Sequence, residues 1–233
     1  MSSSGWLRLI HSWPYQGQRW LAEISPVLGA GLGGLVLASA SIAEPQSGWA
    51  VRAGVVLTWG LGGWFGSRLK IFAGLVQRRR ARGRQAPSWS LAMATASLPT
   101  MSLLLMCSDE PGAMLLARMA LAINLGYVGA KVHCRVLRCC EANRRCVLRN
   151  CLIRSGLLLQ EGQLLMTIII VSCMSYLWWQ GIEVLCASVG FAGHGVLRTA
   201  DWHLRSRTST WRHDLCQPGS GGCIAMGIVM LIT

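Results

Sequence analysis

Long apolar stretches alternate with short charged connections over the first 130 residues of the chain. Four stretches of 17 to 20 residues are almost free of charge, and their bounds are 26–43, 50–66, 88–107 and 112–130. A helix of this length is near the lower limit for crossing about 30 Å of hydrocarbon. The pattern therefore predicts a four-helix membrane region over 26–130.

The connections between these stretches alternate in charge. Residues 67–87 hold seven basic residues and no acid, and residues 131–154 hold seven basic residues and Glu141. In the 44–49 and 108–111 connections every charged residue is an acid: Glu44 in the first, and Asp109 and Glu110 in the second. Because basic loops stay in the cytosol, this alternation predicts a cytosolic N-terminus and a cytosolic exit from the fourth span.

The segment before the first span, residues 1–25, has an amphipathic start. Trp6, Leu9, Ile10 and Trp13 share one helical face, which favours an interfacial membrane anchor. An organellar presequence is the alternative, since few acids occur early in the chain.

The C-terminal region, residues 163–233, is harder to assign. Residues 164–193 are apolar almost throughout, which is too long for one upright span and too short for two. A fifth span would carry Arg198 and Arg205 to the outer side, against the charge rule. The alternative is a buried element of a small cytosolic domain. The predicted fold is thus an all-α, polytopic membrane protein with four or five spans.

Residues 131–162 form a second basic segment, which is rich in cysteine. On a helical wheel one side carries five cations, and apolar residues and cysteines spread over the other. The five cations are Lys131, Arg135, Arg138, Arg145 and Arg149. The pattern predicts a basic amphipathic helix that lies on anionic lipid headgroups. Nucleic acid is a disfavoured partner, because no aromatic residues interleave with the cations.

Small residues and one charge mark the interior of the predicted spans. Gly29 and Gly33, and likewise Gly62 and Gly66, are four residues apart, a spacing that lets helices approach closely. They predict packing within the chain or against a second copy. Arg118 lies deep in the fourth span and must face the protein interior or water. Asp109 or Glu110 could partner it only if their turn folds inward.

The amino-acid composition excludes several classes of protein. Hydrophobic residues make up 52% of the 233 residues and charged residues 13%, about half the charged share of a typical soluble domain. This excludes a disordered chain, a secreted disulfide miniprotein and an ordinary cytosolic enzyme. A net charge of +13 predicts anionic partners. The cysteine spacing does not match zinc sites, so we expect no metal and no cofactor.

Five stretches of the chain carry a likeness to a known family: GWAVRAGVVLTWGLGGW (48–64), RLKIFAGLVQRRRARGRQAPSWSLA (68–92), RVLRCCEANRR (135–145), WWQGIEVL (178–185) and GVLRTADWHL (195–204). With the gaps between them they extend loosely over about two thirds of the chain. In this order they resemble the second non-structural protein of pegiviruses and hepaciviruses.

The resemblance implies a membrane protein of the endoplasmic reticulum that helps virion assembly and carries a His-Glu-Cys autoprotease. Glu183, in WWQGIEVL, carries over directly. At the family spacing the chain has Gln163 and the neighbourhood of Ser206 where His and Cys are required. The likeness is then accidental, the protease is degenerate, or His203 with Cys216 or Cys223 fills these roles.

The sequence as a whole favours a membrane scaffold or assembly factor. The alternatives are a membrane-tethered cysteine protease, with Glu183, His203 and Cys216 as its residues, and a small transporter or oligomeric pore. The expected partners are the lipid membrane, other membrane proteins and a second copy of the chain. The expected location is the endoplasmic reticulum or another internal membrane.

Overall fold

The computed structural model describes residues 19–43, 48–76, 89–137, 159–204 and 216–232, and these ranges contain seven α-helices and no strand. The helices are α1 (Arg19–Ala38), α2 (Gly48–Val76), α3 (Trp89–Cys107), α4 (Gly112–Leu137), α5 (Leu159–Trp179), α6 (Glu183–Leu204) and α7 (Cys216–Ile232).

A glycine turn divides the long apolar stretch 164–193 into two helices. Gly181 has a φ of +70°, the left-handed conformation that ends many helices. The Ile182 N–H donates to the carbonyl of Leu177 at 3.0 Å, and the Gly181 N–H to that of Trp178 at 3.1 Å. The stretch is therefore a helical hairpin of α5 and α6, rather than one long span or one buried element.

Helices that follow each other along the chain pack antiparallel. Gly62 of α2 lies against Thr95 of α3, whereas Gly54 lies nearer Leu103. The same reversal relates α5 to α6, and α6 to α7. Helix α4 is central, because it packs against α1, α3, α5 and α6. Within its most apolar stretch, 67% of the residues are buried inside the bundle.

The antiparallel order gives the bundle two different ends. One end holds the connections 108–111 and 180–182 and the start of the connection 39–47, and we call it the short-loop end. Helices α2, α4 and α6 all finish at the opposite end, where the connections 77–88, 138–158 and 205–215 begin. We call it the arginine end, because these three connections contain five, five and three arginines.

Three helical segments are long and apolar enough to cross a membrane: Trp20–Ala38, Gly112–Val136 and Glu161–Trp179. The first two correspond to the first and fourth predicted spans. The stretches predicted as the second and third spans are also helical, in α2 and α3, although the apolar part of α3, Ala92–Cys107, is shorter. The protein is thus an all-helical bundle with at least three segments suited to a membrane.

Candidate functional site

An ion pair occupies the core near the short-loop end. Arg118 of α4 is only 7% exposed. Its Nε donates to Oε2 of Glu110 at 2.7 Å, and a terminal guanidinium nitrogen donates to Oε1 at 2.6 Å. The other terminal nitrogen donates to Ser39 Oγ at 2.5 Å and to the carbonyl of Val36 at 3.2 Å. The guanidinium also lies 4.9 Å from the Trp178 ring centre. We call these residues the ion-pair cluster.

The two short connections beside it hold Glu110 in place. The Ser41 N–H donates to Glu110 Oε1 at 2.8 Å. Ser108 Oγ donates to the carbonyl of Ser41 at 2.7 Å and accepts the Glu110 N–H at 3.1 Å. The turn 108–111 therefore folds inward, which was the condition for Glu110 to reach Arg118.

A second group of polar side chains lies in the half of α4 nearer the arginine end. Lys131 is 1% exposed, and its ammonium donates to Gln163 Oε1. The ring of Tyr127 lies 4.8 Å from the Lys131 ammonium and 5.6 Å from the Arg198 guanidinium. His194 packs edge-on against the same ring at 4.9 Å. With Asn124, these residues are the polar cluster.

Three buried polar atoms of this cluster have no hydrogen-bond partner. They are Oδ1 of Asn124, the hydroxyl of Tyr127 and Nδ1 of His194. The amide nitrogen of Asn124 is satisfied, since it donates to the carbonyls of Ala120 at 2.8 Å and Gly190 at 3.2 Å. An unmatched buried polar atom costs about 1–3 kcal/mol, so such atoms usually mark a bound water, ion or ligand.

Lys131 corrects one expectation from the sequence. It was predicted to lie on a lipid surface, but α4 continues without a break to Leu137 and turns Lys131 into the core. Arg135 is partly exposed and pairs with Glu161 at 3.0 Å. The other predicted surface cations, Arg138, Arg145 and Arg149, lie outside the described residues.

Along the described helices, Glu183 lies at the opposite end of the bundle from the other two predicted protease residues. Glu183 begins α6 at the short-loop end, and His203 lies twenty residues along the same helix, about 30 Å away at 1.5 Å per residue. Cys216 begins α7 at the arginine end. Glu183 therefore cannot orient His203. Cys186, one turn from Glu183, donates to the carbonyl of Met174 at 3.3 Å.

Gln163, which stands where the viral resemblance requires a histidine, has a different role here. It is buried and accepts the Lys131 hydrogen bond. Its carbonyl accepts the hydroxyl of Thr167 at 2.7 Å.

The small residues singled out in the sequence lie where helices approach closely. A Cβ on Gly29 would be 2.7 Å from the carbonyl oxygen of Leu125, and one on Gly33 would be 2.9 Å from that of Ala122. A Cβ on Gly62 would be 2.5 Å from the Thr95 carbonyl oxygen, and Gly66 is buried. These contacts join α1 to α4 and α2 to α3 of one chain.

Comparison with protein-family models, with curated proteins and with solved structures finds no match to this chain. Within the described ranges, no three His, Cys, Asp or Glu side chains are grouped so that they could hold a metal ion. The class that the fold defines is therefore a helical bundle with segments suited to a membrane and two buried polar clusters on its central helix.

Proposed function

We propose that the protein is an integral membrane scaffold whose seven helices all cross the bilayer and whose arginine end lies in the cytosol. The observation that carries the proposal is the separation of charge between the two ends. All three long connections leave from the arginine end and carry thirteen arginines in total, whereas the short-loop connections carry three acids and no base. This is the distribution that orients membrane proteins.

In a five-span arrangement the main difficulty is that the arginines after residue 193 would lie on the outer side of the membrane, and the hairpin of α5 and α6 removes this difficulty. One added span would have carried Arg198 and the arginines of 205–215 across the membrane. Since the chain turns back at Gly181, α6 returns these charges to the arginine end. An odd number of crossings then leaves the C-terminus on the side opposite to the N-terminus.

The side faces of the bundle support contact with lipid. Large apolar side chains project outward from α1, α2 and α5, including Leu35, Leu61 and Leu165. Trp49 and Trp179 are exposed at the short-loop end and Trp20 near the arginine end, where interfacial tryptophans are expected.

The arginine end supports a scaffolding role. Several arginines close together attract anionic headgroups and acidic segments of partner proteins, each worth about 1 kcal/mol near a charged surface. The separation of Glu183 from His203 disfavours the protease alternative. The resemblance to the viral family points to the endoplasmic reticulum as the membrane concerned.

Epitope tags test the orientation. We would insert one tag after Arg84, one in 205–215 and one at the C-terminus, and probe each in endoplasmic-reticulum microsomes before and after permeabilisation. We expect the first two to be accessible from the cytosol and the third only after permeabilisation. A C-terminal tag accessible from the cytosol in intact vesicles would refute seven crossings.

Lipid binding tests the scaffold role separately. Replacing Arg78, Arg79 and Arg80 by Gln should lower the amount of anionic phospholipid that co-purifies with the protein, measured by mass spectrometry. The matched control replaces the same three residues by Lys, which keeps the charge. Equal lipid recovery from both variants would contradict the proposed role of these arginines.

A further inference from the structure

The polar cluster concentrates positive charge around one buried tyrosine. The Lys131 ammonium and the Arg198 guanidinium lie within 6 Å of the Tyr127 ring centre, at 4.8 and 5.6 Å. Lys131 is buried and Arg198 is partly exposed, and two positive charges beside one buried ring create a field that favours a negative charge near them.

Unmatched hydrogen-bonding atoms lie inside this field. Tyr127 is 3% exposed and its hydroxyl has no partner, and Nδ1 of the buried His194 has none either. The two rings are in edge contact at 4.9 Å. The hydroxyl can donate, and His194 donates in the tautomer that carries its proton on Nδ1. Both groups can therefore act as hydrogen-bond donors in this part of the core.

We propose that the polar cluster is a binding site for a small inorganic anion such as chloride. The anion accepts hydrogen bonds from Tyr127 and His194, and Lys131 and Arg198 neutralise its charge. It reaches the site from the arginine end, since Lys131 lies six residues before the end of α4, about 9 Å along the axis. The arginines of the connections that leave from this end raise the local anion concentration. This site does not depend on the scaffold role.

The site can be tested on the intact, detergent-purified protein. Its melting temperature would be followed as sodium gluconate is replaced by sodium chloride at constant ionic strength. We expect saturable stabilisation by chloride, because a ligand that binds only the folded state raises stability with its concentration. Loss of one hydrogen bond in Tyr127→Phe should weaken the apparent chloride affinity about 5- to 10-fold.

Two further variants separate binding from folding. Tyr176→Phe removes an exposed tyrosine hydroxyl from α5 and should respond to chloride like the unmodified protein. Lys131→Arg keeps the positive charge and should retain chloride stabilisation, which Lys131→Met should lose. In a crystal grown with bromide, the anomalous signal should lie beside Tyr127.

Three results would overturn the assignment. The first is equal melting in chloride and gluconate, which would leave only water at the cluster. The second is an unchanged chloride response in Tyr127→Phe. The third is stabilisation by phosphatidylglycerol micelles without any effect of chloride, which would assign the site to a lipid phosphate instead of a free anion.

Discussion

The two polar clusters on α4 differ in whether their buried polar atoms have hydrogen-bond partners within the protein. In the ion-pair cluster, Arg118 has a carboxylate, a hydroxyl, a carbonyl and an aromatic ring as partners. In the polar cluster, three buried atoms have no partner. About 9 Å of α4 separates Arg118 from Asn124, and Ala120 and Met174 are part of the apolar core there. A cluster whose polar atoms are all hydrogen-bonded acts as a structural clasp, because it holds the helices together. A cluster with unpartnered atoms is where a ligand can supply the missing hydrogen bonds.

The strongest test of this contrast removes the carboxylate of the ion-pair cluster. Glu110→Ala leaves the Arg118 charge buried without compensation and should cost about 3–5 kcal/mol of stability. Unfolding in detergent, followed by circular dichroism, would measure the loss. The control is Asp109→Ala, since Asp109 is exposed and one residue away. Equal stability of the two variants would show that the ion pair is not a clasp.

An intermediate effect should follow from crowding the contact between α1 and α4. In Gly33→Leu, the new side chain collides with the backbone at Ala122 and displaces α1, which should cost at least about 1–3 kcal/mol. The control is Gly31→Leu, because a Cβ on Gly31 meets nothing within 4 Å.

This variant also separates the two clusters. Ser39 and Val36 belong to the α1 end that supports Arg118, whereas the polar cluster is built from α4, α5 and α6. Gly33→Leu should therefore lower the melting temperature and leave the chloride response intact. Loss of both together would mean that the clusters form one unit.

The smallest effect is expected inside the polar cluster. Asn124→Leu removes the hydrogen bond to the Gly190 carbonyl, but it also removes the unmatched Oδ1. Interhelical hydrogen bonds in membrane bundles contribute about 0.6 kcal/mol on average, so the net loss should stay below about 1 kcal/mol. Ser175→Ala, which removes a hydroxyl bonded within α5, is the reference. A loss as large as that of Glu110→Ala would remove the distinction between the clusters.

Hydrophobic pattern and charge were enough to predict much of the fold. Apolar stretches and their loops predicted a helix at each of the positions of α1 to α4, because each stretch is bounded by charges, Pro111 or short polar turns. The bounds agree well for α3, whereas α1 begins and ends earlier than predicted, and α2 and α4 continue further toward the C-terminus. The sequence also narrowed the partner of Arg118 to two residues. A charge at that depth needs a carboxylate, and only Asp109 and Glu110 lie nearby in the sequence, on the condition that their turn folds inward.

The polar cluster could not be predicted in the same way. Lys131 was assigned to a new surface helix, although the spacing of Asn124, Tyr127 and Lys131 places them on one face of an uninterrupted α4. Reading the helical wheel across residue 130 would have found this face. His194 and Gln163 join it only through tertiary packing of α5 and α6, which periodicity does not reveal.

The turn at Gly181 bears on how the chain would enter the bilayer. Helix α6 carries Glu183 and Arg198 and is not among the segments apolar enough to insert by themselves, whereas Glu161–Trp179 is. Only three residues join the two helices. In the proposed topology α6 would therefore leave the translocon together with α5 as a paired unit, and synthesis halted before residue 204 would yield a nascent chain whose last segment is still outside the lipid.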